Sequence, residues 1–181
     1  PAPAAEARAA EAEAARGDAG AGVWRVRLTA APDAAVRVAR VPYADTPAPP
    51  WRAALSTRPV DPDDVFLHHK TTHRAVYDAR RADHPAADDV LLVNTRGELT
   101  EGTVGNLVVQ RDGGRWTPPR ACGLLGGVRR EALLAAGAVG ERVLRPADLA
   151  DADAVWLVNA LRGWIPLARP ILPAAGGPPP A

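Results

Sequence analysis

The amino-acid sequence predicts an α+β fold, that is, a mixed α/β fold with a partly antiparallel sheet. Short segments with strand character outnumber those with helical character, and turn sequences that favour hairpins separate several of the strands. Apolar residues make up 47% of the 181 positions and charged residues 24%, as in globular domains that bury a core. A chain of this length can form one full domain, or one domain with part of a second.

The first part of the chain predicts a partial, small N-terminal domain. Residues 6–16 are rich in Ala, Glu and Arg, which favours a helix. Residues 23–30 alternate apolar and polar side chains, and residues 36–41 follow them after a Pro-Asp turn, so the two segments predict a hairpin. Prolines recur in residues 43–50, which indicates an extended linker. Residues 1–46 are therefore assigned to this partial domain and its linker.

The rest of the chain predicts a larger domain over residues 47–170. Apolar runs such as Val-Leu-Leu-Val predict strands, and an Asp-Gly-Gly turn predicts a hairpin. Strands are predicted at residues 51–57, 89–94, 98–100, 104–110, 115–117, 141–144, 154–158 and 164–167. Helices are predicted at residues 71–82, 128–136 and 146–150, the first with a threonine N-cap. Residues 171–181 are rich in Ala, Gly and Pro and predict a disordered tail.

Several classes of protein are disfavoured by composition. The net charge is +1 and the arginines are scattered, so no nucleic-acid partner is predicted. The apolar runs are too short to span a bilayer, so no membrane partner is predicted. Cys122 is the only cysteine, which excludes an internal disulfide and suits a reducing compartment. A cytoplasmic protein is therefore predicted.

Lys70 is the only lysine of the chain, and every other basic side chain besides histidine is arginine. Arginine stays protonated in proteins, whereas lysine can lose its proton and act as a nucleophile or base. A lysine retained in an arginine-rich sequence is therefore a candidate catalytic residue. An ordinary surface lysine is the alternative, and Lys70 alone does not decide between them.

Two further segments could complete a site with Lys70. Glu101 lies at a predicted strand end before a glycine-flanked turn, and residues 122–130 form a glycine loop that runs into a helix start. Free backbone N–H groups at such a start favour anions. Each segment alone is more often an ordinary turn. Together they supply an amine, a carboxylate and an anion site, which are the groups that pyridoxal 5'-phosphate (PLP) requires.

Two other chemistries fit the sequence poorly. The spacing of His68, His69 and His73 matches no usual zinc pattern, so no metal site is predicted. No Gly-x-Ser-x-Gly segment is present, and Cys122 has no neighbouring histidine, so a hydrolase triad is not supported.

Four segments, taken in order, resemble one family. They are His-Lys-Thr-Thr-His-Arg at 69–74, Thr-Glu-Gly-Thr-Val-Gly-Asn-Leu at 100–107, Gly-Leu-Leu-Gly-Gly-Val-Arg-Arg at 123–130 and Val-Asn-Ala-Leu-Arg-Gly at 158–163. The set resembles the class IV aminotransferase-like PLP enzymes (fold type IV). This family includes branched-chain and D-amino acid aminotransferases and 4-amino-4-deoxychorismate lyases. The first and last segments resemble most the lyases, especially the lyase domain fused to aminodeoxychorismate synthase.

The resemblance implies a role for each matching residue. Lys70 would be the Schiff-base lysine and proton shuttle, and Glu101 would pair with the pyridine nitrogen. The backbone of Val128 and Arg129, after Gly127, would hold the phosphate.

Other residues would complete the pocket by the same resemblance. Asn159 and Ala160 would lie beside the phosphate or substrate, and Thr103 and Asn106 would line or brace the pocket. Arg27 would contact a substrate carboxylate.

The implied reaction converts 4-amino-4-deoxychorismate to 4-aminobenzoate and pyruvate, a step of folate precursor synthesis. A class IV aminotransferase is the alternative, although Ala75 stands where the transaminases place a tyrosine. The family also implies a homodimer that binds a small-molecule amine, and a fusion to or association with an aminodeoxychorismate synthase. Its small N-terminal domain would begin upstream of Pro1. A catalytically incomplete domain with a structural or partner-binding role is the further alternative.

Overall fold

A computed structural model describes residues 23–43 and 50–171. The chain forms two compact units, residues 1–47 and residues 48–181. The helix predicted at residues 6–16 and the tail predicted after residue 171 lie outside the described residues. Most of the predicted linker, residues 44–49, does so as well.

The N-terminal unit contains the predicted hairpin. Strand β1 (Trp24–Ala30) pairs antiparallel with β2 (Val36–Pro42), in a register that places Ala30 opposite Val36. The alternating pattern therefore identified these two strands to within one residue at each end. Arg27 lies in β1, opposite Ala39.

The C-terminal unit contains eight strands and four helices among its described residues. The strands are β3 (Ala53–Leu55), β4 (Asp89–Val93), β5 (Leu99–Gly102), β6 (Asn106–Arg111), β7 (Gly114–Thr117), β8 (Gly140–Glu141), β9 (Ala154–Asn159) and β10 (Gly163–Pro166). The helices are α1 (Val65–His68), α2 (Ala75–Ala82), α3 (Val128–Ala135) and α4 (Pro146–Ala150). A 3-10 turn covers Arg120–Cys122.

One sheet joins all eight strands. Its main order is β10-β9-β6-β5-β4-β3, with β7 also paired to β6 and β8 to β7. The β3–β4 and β7–β8 pairs are parallel and the other pairs are antiparallel. The predicted α+β, mixed α/β fold with a partly antiparallel sheet is therefore confirmed.

Alternation along the strands supplies two apolar faces. In β4, Leu91 and Val93 pack into the largest cluster of buried residues, whereas Val90 and Leu92 pack with Tyr77 of α2. On β6, Val108 contacts the cluster that contains Leu133 of α3. Helices α2 and α3 are thereby attached to strands that carry the candidate site residues.

The α1–α2 region differs from its prediction. The helix predicted at 71–82 begins only at Ala75, because the Thr71 hydroxyl accepts a hydrogen bond from the backbone N–H of His73 (3.1 Å). Such a local bond offers the backbone an alternative to a helix. Helix α1 was not predicted, although the Asp64 carboxylate caps it by accepting from the N–H of Phe66 (2.9 Å).

The strand predicted at 141–144 is also shorter in the structure. Only Gly140 and Glu141 pair with β7, opposite Trp116 and Thr117. Beyond them, the backbone oxygen of Leu144 accepts from Leu99, so the segment turns away from the β7 edge. In the described part of the chain, no helix has both the length and the apolar character needed to cross a membrane.

Candidate active site

A cavity of about 270 Å³ in the C-terminal unit brings the predicted segments together. Its walls come from the α1–α2 segment, the β5–β6 turn, the glycine loop before α3, and the end of β9. The predicted site residues that line it are Lys70, Glu101, Thr103, Asn106, Gly127, Val128, Arg129, Asn159 and Ala160. Arg27 lies in the N-terminal unit, and its role in substrate binding stays a prediction.

Lys70 lies on the extended segment just after α1. Helix α1 is anchored by Leu67, which is 1% exposed, and His68 Nε2 lies 2.8 Å from the backbone oxygen of Pro62. Lys70 itself is exposed and reaches the cavity wall. The anchored helix therefore presents a single amine at the cavity.

Glu101 is the buried acid of the site, with 5% of its surface exposed. Its Oε1 accepts from the Tyr77 hydroxyl (2.8 Å) and from the N–H of Leu125 (3.2 Å), and its Oε2 accepts from Asn106 Nδ2 (3.1 Å). Burial raises the pKa of Glu101 to about 8, although the hydrogen bonds from Tyr77 and Leu125 and the charges of Lys70 and Arg74 lower it. The carboxyl is therefore poised to exchange a proton near neutral pH.

Tyr77 is the site residue that the sequence did not reveal. Its large side chain packs into the core from α2 and is 7% exposed. Its hydroxyl nevertheless reaches Glu101, which lies 24 residues further along the chain. No motif or local spacing connects the two, because their contact requires α2 to pack on the sheet.

The glycine loop and Asn106 form the opposite wall. Asn106 Nδ2 also donates to the backbone oxygen of Leu125 (2.7 Å), which ties the loop to β6. A Cβ atom on Gly127 would lie only 2.2 Å from Asn106 Oδ1, so glycine is required for this approach. Gly127 is the N-cap of α3, and the N–H groups of Val128 and Arg129 have no partner within the helix.

Arg129 brings a positive charge to the cavity wall beside this helix start. Its Nε is buried and has no hydrogen-bond partner among the described residues, and the residue lines the cavity. A buried donor without a partner is costly unless a ligand or water accepts from it. The helix dipole, the free N–H groups and this guanidinium together favour an anion at the start of α3.

Thr103 braces the wall between β5 and β6. Its hydroxyl and its N–H both donate to the Asp89 carboxylate, and its backbone oxygen accepts from Arg74 Nη2 (2.6 Å). Burial raises the pKa of Asp89, and the hydrogen bonds of Thr103 oppose that shift. The Thr103 side chain therefore supports the cavity from outside.

Asn159 organises the turn after β9. Its Oδ1 accepts from the N–H groups of Leu161 (3.0 Å) and Arg162 (2.7 Å), and its Nδ2 donates to the backbone oxygen of Val104 (3.1 Å). These bonds hold Ala160 at the cavity wall. The Asn159 side chain thus acts on the protein backbone of the wall.

Cys122 is not among the residues that line this cavity. The buried thiol of Cys122 has its pKa raised to about 11, chiefly by burial, so it stays protonated. Within residues 23–43 and 50–171, no three His, Cys, Asp or Glu side chains are grouped so as to hold a metal ion.

The fold and the cavity define a class of protein. It has a mixed α/β fold, and its cavity is lined by an amine, a buried carboxyl and a helix N-terminus that favours anions. Comparison with known proteins identifies the family. The pattern of the family "Amino-transferase class IV" matches residues 4–169, and the chain belongs to this family of PLP-dependent enzymes.

Individual relatives agree with that membership. A Schizosaccharomyces pombe protein named "Putative aminodeoxychorismate lyase" is 32% identical over 146 residues, which cover 76% of this chain and 62% of that protein. A Haemophilus influenzae protein is 31% identical over 106 residues, which cover 59% of this chain and 55% of that protein. The chain thus spans less than two thirds of the length of either curated relative.

One solved structure is similar over most of its length. It is a "Putative amino-acid aminotransferase" from Mesorhizobium loti, with 35% identity and a TM-score of 0.81. The match covers 88% of this chain and 79% of that protein. The architecture is therefore that of the fold type IV enzymes.

The residues present fit PLP. The free N–H groups at the start of α3 and the positive charge of Arg129 suit a phosphate, and Gly127 leaves room where a Cβ could not fit. Glu101 would hold the ring nitrogen, and Lys70 would hold the aldehyde carbon. The donor set and its charges thus suit each part of the cofactor.

From the raised pKa of Glu101 we predict how the stability of the cofactor-free protein depends on pH. Its folded-state pKa of about 8 lies above the ordinary value of 4.5, so the folded state keeps a proton that the unfolded state releases. The contribution of Glu101 to the free energy of unfolding should therefore be greatest below pH 4.5 and fall as pH rises toward 8, by on the order of 4 kcal/mol. Glu101→Gln should flatten that fall.

Urea unfolding between pH 5 and pH 8, a window taken from that shift, measures the effect. The exposed Asp153→Asn serves as a matched control and should leave the slope of the wild type unchanged. Equal slopes for the wild type and Glu101→Gln would show that Glu101 is not titrating in this range.

Proposed function

We propose that this chain is a PLP-dependent lyase that converts 4-amino-4-deoxychorismate to 4-aminobenzoate and pyruvate. The observation that carries the proposal is that Lys70, Glu101 and the N-terminus of α3 line one cavity. The S. pombe relative, named "Putative aminodeoxychorismate lyase", and the lyase-like form of the segments around Lys70 and Asn159 support the choice of substrate.

Bound PLP would supply an electron sink that stabilises negative charge on the substrate carbon next to the nitrogen. The residues of the chain have separate tasks around it. Glu101 holds a proton at the ring nitrogen, and Arg129 with the start of α3 binds the phosphate. Lys70 takes a proton from the substrate ring and can return it to the departing three-carbon group.

The overall reaction balances without water or an oxidant. One C–H bond of the substrate ring and the C–O bond to the enolpyruvyl group break, the ring becomes aromatic, and the enolpyruvyl carbon gains the proton to give pyruvate. Aromatisation drives the reaction. The chain must therefore move one proton, and the exposed Lys70 amine is placed at the cavity to do so.

An aminotransferase is the second candidate. The M. loti structure at 35% identity carries an amino-acid aminotransferase name, and both activities use the same cofactor groups. Against it, Ala75 occupies the position at which transaminases of this family place a tyrosine. The two candidates differ in one requirement, because only the aminotransferase needs a 2-oxo acid as amino acceptor.

That requirement defines the test. The purified chain is supplied with PLP and 4-amino-4-deoxychorismate, and pyruvate and 4-aminobenzoate are measured without any 2-oxo acid. Equal amounts of the two products are expected. Turnover that appears only when an amino donor and a 2-oxo acid are both added would instead identify an aminotransferase. No turnover in either assay would favour a catalytically incomplete domain.

We also propose that the chain forms a homodimer, as the family resemblance implies. Light scattering after size-exclusion chromatography should give about twice the mass of one chain. Association with an aminodeoxychorismate synthase is a further proposal, and co-purification with that enzyme tests it.

A further inference from the structure

The Tyr77 hydroxyl is the one side-chain hydroxyl bonded to Glu101 among the described residues. It donates to Oε1 at 2.8 Å from a side chain that is 7% exposed. We propose that Tyr77 is a positioning residue that favours the ionised form of Glu101 and directs its carboxyl at the cofactor ring nitrogen. The part of this proposal that concerns PLP rests on the proposed function.

The other two donors to Glu101 cannot take over this task. The N–H of Leu125 belongs to the glycine loop, and its bond is longer, at 3.2 Å. Asn106 Nδ2 lies 3.1 Å from Oε2 and also donates to the backbone oxygen of Leu125 at 2.7 Å. Among the described residues, Tyr77 makes the shortest hydrogen bond to the Glu101 carboxyl and is the only side-chain donor to Oε1.

Tyr77 is itself held in place. The Arg74 guanidinium lies over its ring at 4.6 Å from the centroid and donates to the backbone oxygen of Thr103 at 2.6 Å. Below the ring, Tyr77 packs in the buried cluster with Val90 and Leu92. The hydroxyl therefore approaches Glu101 from a fixed direction, with little entropy left to lose.

A phenol suits this position because it can donate a hydrogen bond to the buried Glu101 carboxylate while staying neutral itself. A hydrogen bond donated to a carboxylate favours its charged form, which opposes the cost of burying that charge. Lys70 and Arg74 act on Glu101 in the same direction. Burial and Glu101 raise the pKa of Tyr77 above its ordinary value, with Asp64 adding to the shift and Arg74 opposing it. Tyr77 therefore stays protonated and remains a donor.

Loss of the Tyr77 hydroxyl should shift the proton that Glu101 shares with the cofactor ring nitrogen toward Glu101. Without Tyr77 as a donor, Glu101 binds its proton more tightly, so a ring nitrogen that shares this proton keeps less of it. A less protonated ring withdraws electrons less well. We expect Tyr77→Phe to lower kcat about tenfold with little change in KM, since a donor to a charged group contributes about that much.

The test begins with the cofactor-free protein. The free energy of unfolding is measured against pH for two pairs of proteins. The first pair is the wild type and Glu101→Gln, and the second is Tyr77→Phe and the double variant Tyr77→Phe/Glu101→Gln. The difference within each pair reports the titration of Glu101. We expect its midpoint to lie about one pH unit higher in the Tyr77→Phe pair. An unchanged midpoint would overturn the proposal.

The second measurement uses PLP labelled with nitrogen-15 in its ring. The ring-nitrogen chemical shift of the loaded protein should move toward the unprotonated value in Tyr77→Phe. Tyr43→Phe changes the other tyrosine of the chain and should match the wild type in both measurements. An unmoved ring-nitrogen shift would also overturn the proposal. A chain that binds no PLP refutes the proposed function, while the cofactor-free titration still decides whether Tyr77 acts on Glu101.

Discussion

Replacing Lys70 with alanine should abolish covalent labelling by PLP and lower turnover by at least about 10³-fold. Loss of a positioned acid–base group alone costs about 10²–10⁴-fold, and Lys70 also provides the attacking amine. The folded structure should be unaffected, because Lys70 is exposed and changes at exposed positions usually alter stability by less than about 0.5 kcal/mol.

The labelling experiment is simple to interpret because Lys70 is the only lysine of the chain. PLP is fixed to the protein with borohydride and the labelled peptide is mapped, and no second lysine side chain competes for the label. Lys70→Arg keeps the positive charge without a titrating amine, so it should lose the label as well. A label of equal yield in Lys70→Ala would mean that Lys70 is an ordinary surface residue.

Replacing Gly127 with alanine should damage the site by a steric route. The new Cβ would lie 2.2 Å from Asn106 Oδ1, so either Asn106 or the start of α3 must shift. Asn106 bridges Glu101 and Leu125, and α3 presents the N–H groups proposed for the phosphate. We expect a loss of about 1–3 kcal/mol in stability, as in overpacked cores. PLP affinity should fall at least about tenfold as the donors move.

Gly126→Ala is the matched control for that change. Its Cβ would lie 3.2 Å from Arg120 Nε, which belongs to a flexible, exposed side chain that can move aside. Urea unfolding and a fluorescence titration with PLP should show a near-wild-type protein for Gly126→Ala and a weakened one for Gly127→Ala. Equal behaviour of the two variants would contradict the contact between Gly127 and Asn106.

Much of the fold followed from local patterns. The hairpin of β1 and β2, the apolar strand β4 and helix α4 appear at or within one residue of their predicted bounds. The departures in the α1–α2 region lie where a polar side chain forms a hydrogen bond with the backbone. Thr71 delays α2, and the Asp64 cap starts the unpredicted α1. These short-range hydrogen bonds were within reach of the sequence, since threonine and aspartate commonly form them.

The candidate site was predicted through its motifs, and the structure adds how the motifs meet. Lys70, Glu101 and Gly127 could be singled out because a lone lysine, a turn carboxylate and a glycine-rich helix start are visible in sequence. The burial of Glu101 and the unpartnered Nε of Arg129 could not, because both depend on which segments cover them.

By itself the sequence determined the fold class, the family resemblance and the chemical groups of the site. The tertiary structure alone decided that the Tyr77 hydroxyl donates to Glu101, and that Asn106 leaves no room for a side chain on Gly127. The physical reason is the distance along the chain over which each kind of interaction acts. Backbone preferences and periodic patterns act over a few residues, whereas the charge state of Glu101 depends on desolvation by segments that packing brings together from distant parts of the chain.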